Sequence, residues 1–338
     1  MAIITKTTIP TLAARLSKVH VLVVDDDVEI LQLLRGILDK LGFEHISAYT
    51  DASVPIRMFK NNEFTPPIDL VITDWNMQPV SGLEFMTFLR HSSESPSPYM
   101  PIIMLSGYGE WKDVEIARDK GFSEYLVKPF SAKSLCDRIV LCVESPREFV
   151  STDTYKGPSR RRRDGRLPVG VKEDRRKRTA TNSIPGKALK SKIGYDINAR
   201  QIFTREHVNE AQEFIDNAAD AFRERAMKDI AELHHTYRNA CLVPESEKYI
   251  NTIKRRAFSL KSRAGIYGYH LASLVAKSLY SVCERPFPNP QSQLTVIEKH
   301  IETLRTIFVR DIQGEGDEVA SQLLEGLETL ILKYKKRK

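Results

Sequence analysis

Apolar residues recur along this chain in two rhythms, and the change from one to the other divides it. Between Val19 and Val143, short continuous apolar runs alternate with stretches of helical spacing. The runs are Val19–Val24, His45–Tyr49, Ile68–Ile72 (broken only by Asp69), Ile102–Leu105 and Phe122–Val127. Each has strand length, and two-sided burial explains why they are not alternating. Between them, Glu29–Leu41 sets Ile30, Leu33, Leu34, Ile37, Leu38 and Leu41 on one helical face and stops at Gly42. Weaker helical spacing covers Ala52–Lys60, Ser81-Gly82 opens another helix, and two more are predicted near Lys112–Lys120 and Lys133–Val143. Alternating strands and helices predict an α/β domain with a doubly wound, five-stranded parallel sheet.

Beyond Glu144 the periodicity stops, and Gly157, Pro158, Gly165, Pro168, Gly170, Pro185 and Gly186 punctuate a polar stretch. Composition predicts a disordered linker there. From Phe203 onward the spacing is helical throughout: one long segment over Arg205–Ala240, then helices from Pro244-Glu245 to about Ala264, over Leu271–Cys283, Leu294–Phe308 and Glu318–Tyr334. A break is expected near Gly265–Gly268 and a stop at Pro286–Pro290. Several amphipathic helices with short connections predict an antiparallel, all-α bundle. The expected division is an extension at 1–17, an α/β domain at 18–143, a linker at 144–202 and a bundle at 203–338.

Charge sharpens this division. Lys and Arg number 14 against 18 Asp and Glu up to Val143, 16 against 7 from Glu144 to Arg200, and 21 against 19 beyond. The net +7 therefore belongs to the middle segment, chiefly Arg160–Arg163 and Arg175–Arg178. Two readings stay open for it: a solvated, self-repelling tether, or a patch for nucleic acid, an anionic membrane surface or an acidic partner. No aromatic residues interleave the arginines, so sequence-specific DNA reading is not supported. No apolar run approaches the length of a membrane span. Met1–Ser17 lacks a signal pattern, so a cytoplasmic setting is expected. Cys136, Cys142, Cys241 and Cys283 lack metal-type spacing and read as core residues.

The candidate chemistry lies where the apolar runs end. Val19–Val24 ends in Asp25-Asp26-Asp27, Ile68–Ile72 in Thr73-Asp74-Trp75-Asn76, Ile102–Leu105 in Ser106-Gly107, and Tyr125-Leu126-Val127 in Lys128-Pro129-Phe130. Ligands of open parallel sheets bind beyond the carboxyl ends of strands. Crowded carboxylates repel one another and call for a divalent cation, and an all-oxygen set suits Mg²⁺. A metal, a lysine and a hydroxyl beside a carboxylate suit phosphoryl transfer.

These motifs, in this order, resemble the receiver domain of two-component response regulators, the CheY-like family, over roughly residues 18–143; its fold is flavodoxin-like. The resemblance implies Asp74 as phosphoacceptor, Asp26 and Asp74 as direct metal ligands, Asp25 through water, and Asn76 through its backbone carbonyl. It implies Lys128 as the cation for the phosphoryl oxygens, beside a cis bond at Pro129, and Ser106 and Tyr125 as the switch pair. It implies Mg²⁺ and a sensor histidine kinase or phosphotransfer protein as phosphodonor. Tyr108 occupies a place where the family tunes dephosphorylation. Capping is the alternative for Asp27 and Ser81, and core packing for Trp75 and Tyr125.

A second resemblance is to histidine phosphotransfer domains, through Ala257-Phe258-Ser259-Leu260-Lys261-Ser262 and the small residues up to Gly268. Phe258 stands where that family carries its histidine, so no phosphate relay is expected there; Lys261 stands where it places a cation. His234, His235, His270 and His300 read as surface or helix-packing residues. The overall expectation is a non-enzymatic regulator phosphorylated on Asp74, with output through contacts of the bundle with a downstream protein. The alternative is a nucleic-acid-associated regulator acting through the arginine-rich segment.

Overall fold

The structure is a computed structural model that describes residues 15–106, 120–144, 147, 149–152, 155–159, 187–193, 203–244, 246–285, 287–314 and 318–335. The expected helix near Lys112–Lys120, except its last residue, and Tyr108 and both arginine clusters lie outside them. The residues separate into two compact units, Met1–Val127 with Ala132–Gln212, and Lys128–Ser131 with Glu213–Lys338.

In the first unit five strands form one parallel sheet. They are β1 (His20–Val24), β2 (His45–Tyr49), β3 (Leu70–Asp74), β4 (Ile102–Ser106) and β5 (Glu124–Val127), in the order β2-β1-β3-β4-β5. This is the doubly wound arrangement expected from the alternation, flavodoxin-like in its strand order. Helices α1 (Val28–Lys40), α2 (Ser53–Lys60), α3 (Gly82–His91) and α4 (Ala132–Glu144) alternate with the strands. Leu22, Val24, Val71, Ile102 and Met104 share one core cluster with Ala52 and Phe59 near α2 and Phe85, Met86 and Leu89 of α3. The intervening strand residues, among them Val21, Val23, Ile72 and Ile103, are also fully buried, as two-sided coverage of a parallel sheet requires.

Residues 144–202 hold more structure than a linker. An antiparallel hairpin joins β6 (Phe149–Thr152) to β7 (Tyr155–Pro158), and a short helix, α5, spans Lys187–Ile193. Phe149, Leu189 and Ile193 are buried. The hairpin seats on the turn before β5, where a Cβ on Gly157 would come within 2.8 Å of the Gly121 Cα. Helix α5 is fixed by Lys192, whose Nζ lies 2.6 Å from Asp69 Oδ2 just ahead of β3. Arg15 Nη1 donates to Ile193 O at 2.9 Å. Sparse but well-placed apolar residues anchor both pieces, which a composition average cannot register.

Helix α6 (Arg205–Asn217) contains the boundary between the units, at Gln212. The expected single helix over Arg205–Ala240 is two, because the chain turns at Ala218 before α7 (Ala219–Leu242). In the second unit α7, α8 (Glu247–Ile266), α9 (His270–Glu284) and α10 (Pro290–Val309) pack in a closed ring, α7 on α8, α8 on α9, α9 on α10 and α10 on α7. Helix α11 (Glu318–Lys335) lies against α9 and α10. Phe222, Tyr267, Tyr269 and Phe308 form an aromatic cluster, with Phe222 and Tyr267 stacked at 4.5 Å. Arg223 caps α10 by donating to Phe308 O and Val309 O. Pro290 does not end a helix but opens α10 behind the cap Asn289, where proline's missing N–H costs nothing. Among the described residues, no helix is long and apolar enough to cross a membrane.

Candidate functional site

Strand register sets the positions at the carboxyl edge of the sheet. Val24 pairs with Thr73, so Asp25 and Asp74 occupy adjoining strand ends. Asp74 pairs with Leu105, and Ser106 with Val127 of β5, after which comes Lys128. Asp25 and Asp74 are 1% and 3% exposed, whereas Asp26 is exposed. Ser106 and Lys128 are also buried, at 1% and 5%. Two carboxylates sequestered at neighbouring strand ends are costly unless charge or hydrogen bonds compensate them.

The backbone supplies part of that compensation. Asn76 N donates to Asp74 Oδ2 at 2.8 Å, and Asp27 N to Asp25 Oδ1 at 3.0 Å. Thr73 Oγ1 donates to Asp74 O at 3.2 Å. Asp27 itself caps α1, its carboxylate accepting from Glu29 N and Ile30 N. Ser81 caps α3 in a reciprocal capping box with Glu84. Both residues therefore have the capping role that was the alternative for them. Tyr125 is half-buried against the core cluster, and Trp75 packs near Phe122 with ring centroids 6.2 Å apart. The Lys128–Pro129 bond is cis, as the resemblance implied.

Two residues that hold α3 in place, one at this edge and one at the opposite, amino edge of the sheet, were not singled out from the sequence. The first is Gly82. A Cβ there would collide with the carbonyl oxygen of Asp74 and lie 3.0 Å from its carbonyl carbon, while Gly82 N donates to Trp75 O. The first turn of α3 thus sits directly on the Asp74 backbone, and only glycine fits. The second is Arg90, in the last turn of α3 and 1% exposed. Its guanidinium donates to the carbonyls of Gly121 (3.1 Å), Pro98 (2.8 Å) and Met100 (2.8 Å) and lies 5.9 Å from the Phe149 ring centroid. Burial lowers its pKa to about 10.

Asp25 and Asp74, with the Asn76 carbonyl and the exposed Asp26, offer a cation only oxygen, which fits Mg²⁺. Among the described residues no three His, Cys, Asp or Glu form a ready metal cage. The fit therefore rests on the two buried carboxylates together with backbone oxygen and water.

In the second unit Phe258 and Lys261 share a face of α8. The Lys261 Nζ stands 5.7 Å from the Phe258 ring centroid, and Phe258 packs on Tyr280 of α9 at 5.6 Å. His300 is fully buried, its Nδ1 2.8 Å from Val296 O and its Nε2 2.8 Å from Ser278 Oγ. It is a packing histidine; His234, His235 and His270 lie elsewhere on the helices. The four cysteines are free thiols, and burial pushes Cys136 and Cys283 up to about 12.

Comparison with known proteins places these features. The family model of the response regulator receiver domain matches residues 21–140. The chemotaxis protein CheY-3 of Vibrio cholerae is 28% identical over 119 residues, covering 35% of this chain and 87% of CheY-3. The phosphate regulon transcriptional regulatory protein PhoB of Escherichia coli is 33% identical over 120 residues, 36% of this chain and 49% of PhoB, so the match spans about half of that protein. A solved receiver domain protein from Clostridium thermocellum is 30% identical, with 36% of this chain and 90% of that one covered and a TM-score of 0.32. All three matches cover only about a third of this chain.

Proposed function

Residues 21–140 are a response regulator receiver domain, and from that premise we propose that the chain is a response regulator phosphorylated on Asp74 in a Mg²⁺-dependent reaction. The carrying observation is the pair of buried carboxylates, Asp25 and Asp74, at adjoining strand ends, with Ser106 at the end of the next strand. The donor is a phosphohistidine of a sensor kinase or phosphotransfer protein. An Asp74 carboxylate oxygen attacks phosphorus, a P–O bond forms, and the P–N bond of the donor breaks, leaving neutral imidazole after proton uptake. Asp25, Asp26 and Asp74 with the Asn76 carbonyl would hold Mg²⁺, which supplies charge neutralisation at the phosphoryl oxygens.

The residues of the chain do the rest. The Asn76 N–H donates to Asp74 Oδ2 and so orients the carboxylate that attacks. Lys128 balances the charge on the transferred group, and Ser106 donates to one of its oxygens. Roughly two added negative charges at a buried edge bias Ser106 and Tyr125 between two arrangements. Output passes to a downstream protein through the helical bundle. Its Phe258–Lys261 face keeps a cationic and aromatic surface, and Phe258 cannot accept a phosphoryl group.

Incubation of the full chain with acetyl phosphate and Mg²⁺ is expected to give one acid-stable, hydroxylamine-labile label per chain. Asp74→Asn is expected to abolish it. Labelling that persists in Asp74→Asn defeats this reading, as does labelling indifferent to EDTA.

A further inference from the structure

Helix α11 lies outside the closed ring of α7 to α10 and leans more closely on α10 than on α9. Between α9 and α11 a groove of about 460 Å³ is left, within the roughly 300–1,000 Å³ of small-molecule sites. Every residue that lines it belongs to the second unit. The α11 wall is apolar, made by Leu324, Leu327, Ile331 and Leu332, with Glu328 the one charged side chain that this helix contributes. The α9 wall carries two rows at the four-residue spacing of a helix face. Leu274, Ser278 and Val282 make one row; Lys277, Ser281 and Arg285 make the other, Arg285 being the C-cap of α9.

The two rows differ in what they have left to offer. A carbonyl only accepts, so His300 Nδ1 donates to Val296 O, and Ser278 Oγ donates to His300 Nε2 at 2.8 Å. Ser278 is thus engaged inward. In the other row, among the described residues, the side chains of Lys277 and Arg285 make no ion pair and the Ser281 hydroxyl makes no hydrogen bond. Leu274 and Leu332, 46% and 55% exposed, add apolar surface in contact with water on either side. We propose that this groove binds a fatty acid, its carboxylate on the Lys277–Ser281–Arg285 row and its alkyl chain along the α11 wall. Charge complementarity carries the choice of ligand. Two cations against the single Glu328 favour an anion, a neutral chain gains nothing from that row, and a second copy of the chain would bring the same positive sign to it. The inference goes beyond the phosphorylation reading and does not depend on it.

The experiment titrates the full chain with sodium decanoate in a calorimeter, with no phosphodonor present. One saturable site is expected, with a Kd on the order of 100 µM. Octanoate is expected to bind about tenfold more weakly, because two fewer methylenes are buried. Decanol, equal in length but uncharged, is expected to lose about tenfold, and so is Lys277→Gln combined with Arg285→Gln. Raised salt weakens decanoate binding to wild type and not to that double variant, whereas Glu328→Gln tightens it about twofold. Lys277, Arg285 and Glu328 are exposed, so melting temperatures close to wild type are expected for all these variants. No saturable binding of decanoate, equal affinity for decanol, or a double variant that binds as wild type does overturns the proposal. Binding to phosphatidylglycerol vesicles with none to decanoate overturns it too and assigns the face to a membrane surface. A dimer in sedimentation that Leu274→Glu dissociates likewise overturns it, in favour of a second copy.

Discussion

Gly82 shows how much one missing side chain can govern. Its backbone rests on the carbonyl of Asp74, where any Cβ collides, so Gly82→Ala must push α3 and the Asp74 loop apart. The expected cost is about 1–3 kcal/mol, read as a lowered denaturant midpoint, together with slower labelling of Asp74. A midpoint within error of wild type would show that the loop absorbs the methyl group. His300 is the corresponding case in the bundle. Burial lowers its pKa below the usual 6.5, so the unfolded chain binds its proton more readily than the folded one. Stability from this residue is complete above about pH 6.5 and is lost as pH falls toward the lower, folded value. Thermal melts of the full chain from pH 7.5 to 5 are expected to show that loss, and His300→Gln to show a flatter dependence. Parallel curves for the two proteins would assign the effect elsewhere, for example to His20, whose pKa burial also lowers.

Among elements, α3 has the widest reach. Its first turn meets Asp74, and Arg90 at its other end joins the loop before β4, the turn before β5 and the hairpin residue Phe149. Arg90→Met keeps the bulk and removes three hydrogen bonds from a charged donor; a loss of about 3 kcal/mol is expected in urea unfolding. A loss under about 0.5 kcal/mol would mean that the carbonyls find other donors. The strands, their order and the acidic strand ends could be read from the sequence, because continuous apolar runs and turn-forming acids are local signals. Arg90 could not. On a helix such as Gly82–His91 an arginine reads as part of the solvated face, and its burial is decided by carbonyls 8 to 31 residues away. Gly82 read as a helix start, which it is; its clash with Asp74 needs the fold of the loop between them. Phe149 and Leu189 were hidden for a different reason, single apolar anchors being averaged away in a polar segment.

For the whole molecule, the hairpin and α5 change what the basic segment is. Strand β7 and helix α5 both belong to the first unit, as does Phe203, whose ring stands 6.2 Å from that of Phe43. The described residues on either side of the basic segment, β7 and α5, thus belong to the same unit. In sequence, the charge of the arginines of 160–178 is counted with that half of the chain. Counted to Arg200, that half carries 30 Lys and Arg against 25 Asp and Glu, reversing the sign its strands and helices have alone. A positive net charge on that half is expected to speed its association with acidic partners, and to do so less as salt is raised, which stopped-flow binding at increasing ionic strength would check.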